Sequence, residues 1–578
     1  MNRRLLAVLA LAAFVASGCL VRGKSQEEKE AEAQQAAAGA DHFPGLDEYW
    51  REGKLPPGLE EGTPVRGGTL TVRISGQPPS LNYLLDSDYW LSRITLHNLH
   101  ETLVRPDPRD HPDYEVIPEL AERWEVSEDN LTFTFHLRDG VKWHDGKPFT
   151  ARDVRFTFDR MMDPAVRAMH LRQAFEDLER VETPDERTVI FRYNKPYVWA
   201  LRKLGEIPIL PAHAFEGVEG AAFNSHPYQR APIGTGPFRF ESWEDHKAIT
   251  FARNDDYWGR KAWVDKVVYR VLPEPNVAQQ LLMRGELDID TTLTSESYVQ
   301  LAAEPKVVDT FHRVKFFESM FAWIGWNHQR PIFQDARVRR ALAMLFDREK
   351  LRISLFEGIP ENANCVFYHL GPGCDPADRQ PAFDPDGAAK LLREAGWQDT
   401  DGDGVLDRDG VPFRFTLTIP SGSPTNEAMV LVFKQELYRA GIEMELQKIE
   451  WSVFSNRLRN HEFDACMLAW IGDVESDPYQ VWHSSQAAGG SNYISYANDE
   501  LDELALRIRG EFDYEKRQAL FRRFNQIVVD EAPMLLIYHS PRRTMIHRRL
   551  RGVYLSPMEF FQVRDMWIQP AATAAIGG

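Results

Sequence analysis

Residues 120–154 read LAERWEVSEDNLTFTFHLRDGVKWHDGKPFTARDV, and this stretch decides how the rest of the chain is interpreted. Its central run, residues 131–137 (LTFTFHL), alternates apolar and polar side chains at period two, which predicts a half-buried strand. Two glycine-containing turns follow, and a helix is predicted to begin at Ala151. Thr150 can cap that helix, with Asp153 three residues on in a capping-box arrangement. The stretch thus predicts a strand, two turns and a capped helix in sequence.

Outside this stretch, predicted strands and helices alternate along the chain rather than clustering by type. Further strands are predicted at residues 68–74, 249–253, 267–272, 414–419 and 442–449. Helices are predicted at residues 278–284, 336–346, 388–395, 426–440 and 514–530. The alternation indicates an α/β fold class. No unit of 20–50 residues repeats, which argues against a solenoid or a propeller.

Several short blocks follow one another in a fixed order. They are GTGPF at 234–238, RNDDYW at 253–258, GELD at 285–288, FQDARVR at 333–339 and GD at 472–473. With residues 120–154, these blocks make the chain from about Gly67 to Trp567 resemble the family 5 extracellular solute-binding proteins, the periplasmic oligopeptide and dipeptide receptors of ABC importers. The resemblance implies a two-lobed periplasmic-binding-protein fold, class II-like and of type C, with an extra inserted domain.

The same resemblance implies how the chain is divided between the lobes. Lobe I is expected to be discontinuous, built from residues 65–94, 226–315 and 536–578. Residues 95–225 are expected to form the inserted domain II, and residues 316–535 to form lobe II, or domain III. The lobes would close over the ligand about a hinge that the chain crosses at least twice.

The resemblance also implies a ligand-binding set: Ala469, Trp470, Ile471, Gly472, Asp473, Asp88 and Tyr89. The strand that ends at residues 469–472 would offer its edge to a peptide main chain. Asp473 stands where peptide-binding relatives place the carboxylate that receives the α-amino group; the alternative is a solvated turn aspartate. Trp470 would pack on the ligand or belong to the core. Met467 occupies a position where some relatives have an arginine that binds the carboxylate of a short peptide. The sequence therefore shows no residue at this position that could anchor the ligand's C-terminus.

The N-terminus carries the pattern of an exported lipoprotein. Two arginines precede an apolar run at residues 5–15, which is too short for a permanent membrane span. Ala16, Ser17 and Gly18 then lead into Cys19, as in a bacterial lipobox. We expect residues 1–18 to be a signal peptide, Cys19 to be acylated, and polar residues 19–64 to be a tether beside the lipid bilayer, in the periplasm or otherwise outside the cytoplasm. An ordinary cleaved signal peptide is the alternative.

Two of the remaining cysteines are close in sequence. Cys365 and Cys374 flank a turn-forming segment and would close a short disulfide loop in an oxidising compartment. The alternative is a pair of unbonded thiols.

An acidic loop resembles the start of a calcium-binding EF-hand loop. Its predicted ligands are Asp399, Asp401, Asp403, the carbonyl of Val405, and Asp407. Gly410 stands where a bidentate glutamate is expected, so the loop is either a structural Ca²⁺ site completed elsewhere or a plain acidic turn. No other cofactor is expected.

The overall charge and the motifs limit the function classes. Acidic residues outnumber Lys and Arg, 86 to 68, and this balance argues against nucleic acid as a partner. No nucleophile elbow or phosphate loop is present, so we do not expect an enzyme. The prediction is a monomeric substrate-binding lipoprotein of an ABC importer that captures peptides and passes them to the permease subunits. The alternatives are a receptor of the same fold for an oligosaccharide, a nickel chelate or haem, a signalling receptor, or an exported hydrolase.

Overall fold

The computed structural model describes residues 59, 62–86, 88–107, 110, 115–554 and 563–570. The predicted signal peptide, the acylated Cys19 and most of the predicted tether lie outside the described residues.

The strands are β1 (Thr69–Ile74), β2 (Val104–Pro106), β3 (Val116–Pro118), β4 (Ala121–Val126), β5 (Thr132–Leu137), β6 (Leu178–Asp185), β7 (Thr188–Tyr193), β8 (Phe238–Glu244), β9 (Ala248–Arg253), β10 (Lys266–Val271), β11 (Ile289–Asp290), β12 (Phe311–Phe316), β13 (Met320–Trp326), β14 (Glu361–Asn362), β15 (Asp407–Arg408), β16 (Val411–Pro412), β17 (Arg414–Pro420), β18 (Glu443–Ile449), β19 (Ala465–Ile471), β20 (Met534–Leu536), β21 (Tyr538–His539), β22 (Arg542–His547), β23 (Leu550–Arg551) and β24 (Trp567–Ile568).

The α-helices are α1 (Tyr89–Thr95), α2 (Ala151–Met162), α3 (Met169–Arg172), α4 (Ala200–Gly205), α5 (Pro275–Met283), α6 (Ser295–Ala302), α7 (Pro305–Thr310), α8 (Ala336–Met344), α9 (Arg348–Phe356), α10 (Pro385–Glu394), α11 (Pro424–Arg439), α12 (Trp451–Arg459), α13 (Tyr479–Trp482), α14 (Asp499–Gly510) and α15 (Tyr514–Glu531).

A seven-stranded mixed sheet forms the first lobe, in the order β12-β22-β11-β1-β10-β9-β8. Strand β1 lies at its centre, parallel to both β10 and β11. Leu70, Val72 and Ile74 alternate along β1, so they share one face of the sheet, and all three are fully buried. The sheet therefore combines strands from widely separated parts of the chain.

A five-stranded sheet forms the second lobe, in the order β18-β17-β19-β13-β20. Strands β17 and β18 run parallel and are joined by α11, which supplies the crossover that parallel strands need. Strand β13 lies between β19 and β20 and is antiparallel to both. Trp326 and Phe415 from this sheet meet edge to face in the core, with ring centroids 6.3 Å apart.

A four-stranded antiparallel sheet, β4-β5-β7-β6, takes its strands β4 and β5 from residues 120–154. The alternating run at residues 131–137 forms β5, and α2 begins at Ala151 as predicted. The Thr150 N–H donates to Asp153 Oδ2 at 2.9 Å, which confirms the capping-box prediction. We call residues 115–225, which hold this sheet with α2, α3 and α4, the inserted unit.

Two short connections link the strands of the lobes directly. Residues 317–319 join β12 to β13, and residues 540–541 join β21 to β22. Buried Glu318 lies in the first connection and accepts hydrogen bonds from Arg93 and from Arg542, the first residue of β22. The predicted α/β two-lobed fold is confirmed. The predicted domain boundaries stay a prediction. Among the described residues, no helix is long and apolar enough to cross a membrane.

Candidate functional site

A cavity of about 380 Å³ lies between the inserted unit and the second lobe. We call it the cleft cavity. The inserted unit contributes Tyr197 and Lys203 to its wall, among other residues. The second lobe contributes Trp470, Gly472 and Asp473, at and after the end of β19. Four of the residues predicted to bind ligand therefore line this cavity, namely Trp470, Ile471, Gly472 and Asp473, whereas Ala469 does not.

Beyond Cys466, one backbone edge of β19 has no partner among the described strands. On one side it pairs with β13 along its whole length, from Ala465 to Ile471. On the other side β17 pairs only with Ala465 and Cys466. Among the described strands, none continues that side of β19 beyond Cys466. Residues 467–471 thus form the open edge.

The register shows which backbone groups point outward from this edge. Gly472 N–H donates to Ser319 O at 2.8 Å, so Gly472 faces β13. In an antiparallel pair, consecutive residues direct their N–H and C=O groups to opposite sides. Leu468 and Trp470 therefore also face β13, whereas Ala469 and Ile471 direct their backbone groups to the open edge. An extended chain lying there would find donors and acceptors already aligned.

The indole of Trp470 has aromatic neighbours on two sides. It stacks on Trp323 at a centroid distance of 6.1 Å and on Tyr493 at 5.6 Å, with interplanar angles of 18° and 15°. Trp470 is half-buried and also lines the cleft cavity. Its ring orientation is fixed by the stack, so it serves the core and leaves part of its surface in the cavity.

Asp473 is paired with cations from the inserted unit. Lys203 Nζ lies 2.9 Å from Asp473 Oδ2, and Arg202 Nη2 lies 3.9 Å from Oδ1. Burial opposes ionisation of the carboxyl, but the charges of Lys203 and Arg202 outweigh it and lower the pKa of Asp473 to about 2. Asp473 is therefore ionised throughout the physiological pH range.

The charges that line the cleft cavity do not balance. Its wall carries four carboxylates (Glu176, Glu206, Asp473 and Asp477) and two permanent cations (Lys203 and Arg509). Arg509 binds Asp477 and Glu176, each at 3.1 Å, and so compensates only part of the negative charge. The excess favours the positive end of a ligand.

Asp88 and Tyr89, the two binding residues predicted from the first lobe, have other contacts. The Asp88 carboxylate caps α1 by accepting from the N–H groups of Trp90 and Leu91, at 2.9 and 3.0 Å. Tyr89 donates its hydroxyl to Glu318 Oε1 at 3.2 Å. Neither residue contributes to the wall of the cleft cavity. The structure does not bring them together with Asp473, and their role in binding stays a prediction.

Residues of the inserted unit that reach the site were missed by the sequence analysis. Besides Lys203, Tyr197 donates to Asp477 Oδ2 at 3.2 Å, and Trp199 Nε1 donates to Glu475 Oε2 at 2.8 Å. The acidic residues at 473, 475 and 477 thus each receive a donor from residues 197–203. The alternating acidic residues at 473, 475 and 477 can be recognised in the sequence as candidate site residues. Their partners could not be, because they lie more than two hundred residues away in sequence.

The acidic loop brings part of the predicted calcium set together. The carboxylates of Asp399, Asp401 and Asp403 lie within 4.8 Å of one another, all exposed. Asp407 instead accepts hydrogen bonds from Thr400 N–H and Oγ1, at 2.9 and 2.8 Å. Val405 donates its N–H to Asp403 at 2.8 Å. Three of the predicted carboxylates are thus clustered, whereas Asp407 is hydrogen-bonded to Thr400, so calcium binding stays a prediction.

The predicted cysteine pair is joined in the structure. Cys365 and Cys374 form a disulfide with their Cα atoms 5.9 Å apart. The bridge closes the segment that carries Val366 and Phe367, both of which line the cleft cavity. It therefore restrains part of the cavity wall.

Comparison with known proteins agrees with this geometry. Residues 115–492 match the model of the bacterial extracellular solute-binding proteins, family 5 Middle. The oligopeptide-binding protein AppA of Bacillus subtilis is 29% identical over 517 residues, which cover 88% of this chain and 93% of the relative. Di/tripeptide-binding protein 2 of Pseudomonas aeruginosa is 30% identical over 467 residues, covering 77% and 85%. The solved structure of Bacillus subtilis AppA in complex with a nonapeptide superimposes with a TM-score of 0.77 at 28% identity, covering 88% of this chain and all of that one. The chain belongs to the family 5 bacterial extracellular solute-binding proteins.

Proposed function

We propose that this protein is the extracytoplasmic substrate-binding component of an ABC importer and that its ligands are peptides. The observation that carries the proposal is the open edge of β19, whose end at Trp470 and Ile471 lies at the cleft cavity beside the ionised Asp473. Two relatives named for oligopeptide and di/tripeptide binding support it.

The chemistry of the edge suits a ligand of variable sequence. Peptides share only their main-chain N–H and C=O groups and their charged termini, so a receptor for many peptides must bind these. Ala469 and Ile471 would pair with the ligand main chain, and Asp473 would accept from its α-ammonium group. A charged hydrogen bond of that kind contributes roughly 1.5–3 kcal/mol where no other cation already neutralises the carboxylate. Ligand side chains would extend into the rest of the cavity, where water can fill the space that small side chains leave.

The cellular setting is part of the proposal. Acylation of Cys19 would hold the protein at a lipid bilayer outside the cytoplasm, with residues 19–64 as the tether. The partners would be the permease subunits of the importer, and the protein would act as a monomer without catalytic activity. Intact mass spectrometry of the membrane-extracted protein tests the anchor: the expected result is a chain that begins at Cys19 and carries acyl groups. An unacylated N-terminus would overturn it.

Mass spectrometry of ligand retained through mild purification tests the ligand class. Release of peptides on denaturation is the expected result. A retained oligosaccharide, nickel chelate or haem would overturn the peptide assignment while leaving a receptor of the same fold. Turnover of a substrate panel by a protein that retains nothing would overturn the receptor itself.

We also propose a structural Ca²⁺ at Asp399, Asp401 and Asp403, since three clustered carboxylates are ligands that calcium prefers. Calorimetric titration of the purified protein should show saturable heat at or below millimolar Ca²⁺, and Asp401→Asn should remove it. Heat no greater than that of buffer would contradict the site.

A further inference from the structure

Lys203 occupies the acceptor that the proposed function gives to the ligand's amino group. Its Nζ lies 2.9 Å from Asp473 Oδ2, and its side chain forms part of the cavity wall. A lysine ammonium and a peptide α-ammonium are both –NH₃⁺ groups with three donors and one positive charge. The two groups are therefore alternative partners for the charge of the same carboxylate.

Lys203 has a second partner that would keep its charge compensated if it left Asp473. Its Nζ also lies 2.8 Å from Glu206 Oε2, on the same stretch of chain. Burial opposes protonation of Lys203, but Asp473 and Glu206 outweigh it and raise its pKa well above the ordinary value. The side chain is thus a permanent cation shared between two carboxylates, and losing one of them does not leave it unpaired.

We propose that Lys203 determines specificity by competing, within the protein, for the ligand's amino terminus. This inference rests on the proposed function. In the wild type, Lys203 already holds Asp473 Oδ2 and neutralises its charge, so a free α-ammonium gains less from Asp473 than it would from an unpaired carboxylate, and the net advantage of a free amino terminus over a blocked one is small. Peptides with acetylated and with free amino termini are then bound almost equally well, and main-chain pairing with the open edge supplies most of the affinity.

Replacement of Lys203 by an uncharged residue should reveal the preference of Asp473 for a ligand with a free amino terminus. With Lys203→Met, the nearest remaining cation to Asp473 is Arg202, at 3.9 Å, so the carboxylate can take another cation at close range. A ligand ammonium would supply it without displacing a protein group. We expect the ratio of free to acetylated peptide bound to rise at least about tenfold, as a full charged hydrogen bond allows.

The experiment uses the full chain purified in detergent and two random pentapeptide libraries, one with free and one with acetylated amino termini. Equilibrium dialysis with quantitative mass spectrometry gives the amount of each library bound. The wild type should show a free-to-acetylated ratio below about three, and Lys203→Met at least ten times that value. Adding Asp473→Asn to Lys203→Met should return the ratio to about one, because the charged acceptor is then gone.

A matched control is Lys195→Met, which removes a lysine of the inserted unit whose side chain is 73% exposed and pairs with Asp177. It should bind both libraries as the wild type does. An unchanged ratio in folded Lys203→Met would overturn the inference. If that variant does not fold, the wild type still decides, because a wild-type ratio above about ten would mean that Lys203 does not compete. Failure of the wild type to bind either library would instead count against the proposed function.

Discussion

Proline at position 469 tests the open edge of β19 most directly. Ala469 directs its N–H away from β13, toward the side on which no described strand pairs with it. Ala469→Pro removes this donor but breaks no hydrogen bond within the sheet, and an edge position tolerates proline. The variant should therefore keep its thermal stability and lose only the hydrogen bond that this N–H donates to a bound ligand.

The expected loss follows from the chemistry of that one donor. A neutral hydrogen bond contributes about 0.5–1.5 kcal/mol net, and leaving the ligand carbonyl unpaired raises the total to about 1–3 kcal/mol when the bound ligand shields it from water. Dissociation constants should rise by about 5- to 140-fold. Isothermal titration with a peptide identified in the purified protein measures the change.

Ala469→Val is the matched control, because it changes the side chain and retains the N–H. It should bind within about threefold of the wild type, since a β-branched residue suits a strand. Folded Ala469→Pro with wild-type affinity would refute pairing at this edge, and so would an equal loss in both variants. Loss of affinity in the proline variant alone is the result that the register requires.

Three further predictions concern charge, pH and the disulfide. Asp473→Ala should weaken peptide binding at least about tenfold without unfolding the protein. The reason is that the cations now neutralised by Asp473 would then repel the ligand's ammonium group. Unchanged affinity in a titration would show that Asp473 does not take part in binding. Burial lowers the pKa of His328 and of His539 to about 3, so below pH 6.5 the unfolded chain binds more protons than the folded one. The contribution of these two histidines to the free energy of unfolding should be at its full value above about pH 6.5. It should fall toward pH 3 by up to about 1.4 kcal/mol per pH unit for each histidine. Urea midpoints that do not change over this range would contradict this prediction. Replacing both Cys365 and Cys374 by serine should lower the free energy of unfolding by about 2–3 kcal/mol, measured by urea denaturation without reductant; an equal midpoint in both proteins would show that the bridge adds nothing.

Much of the architecture could be predicted from local sequence patterns. The alternating run at residues 131–137 and the Thr150–Asp153 cap are signals within a few residues, and the structure confirms both. Helix α11 follows the predicted range of 426–440 to within two residues at its start and one at its end. Such elements depend on side-chain periodicity and capping, which a single sequence displays.

The contacts of the site could be predicted only in part. The edge strand and Asp473 follow from the family resemblance, but Lys203 is separated from Asp473 by 270 positions, and nothing in the local sequence pairs them. Asp88 illustrates the opposite difficulty: its sequence context fits a ligand-binding loop, while its carboxylate accepts from two N–H groups at the start of α1. A carboxylate has the same appearance in sequence whether it binds a ligand, a lysine or a helix end.

The buried Glu318 between the two direct connections has a consequence for movement. Arg93 and Arg542 hold this carboxylate and outweigh the burial that would otherwise raise its pKa, which is lowered instead. The side-chain bridge to Arg542 ties the two crossing segments together, so they must bend in concert about a common axis. Independent twisting of either segment would leave a charge uncompensated in a dry environment. If the two lobes open and close over a ligand, this bridge would favour one relative orientation of the lobes, and a membrane partner would then meet a single shape.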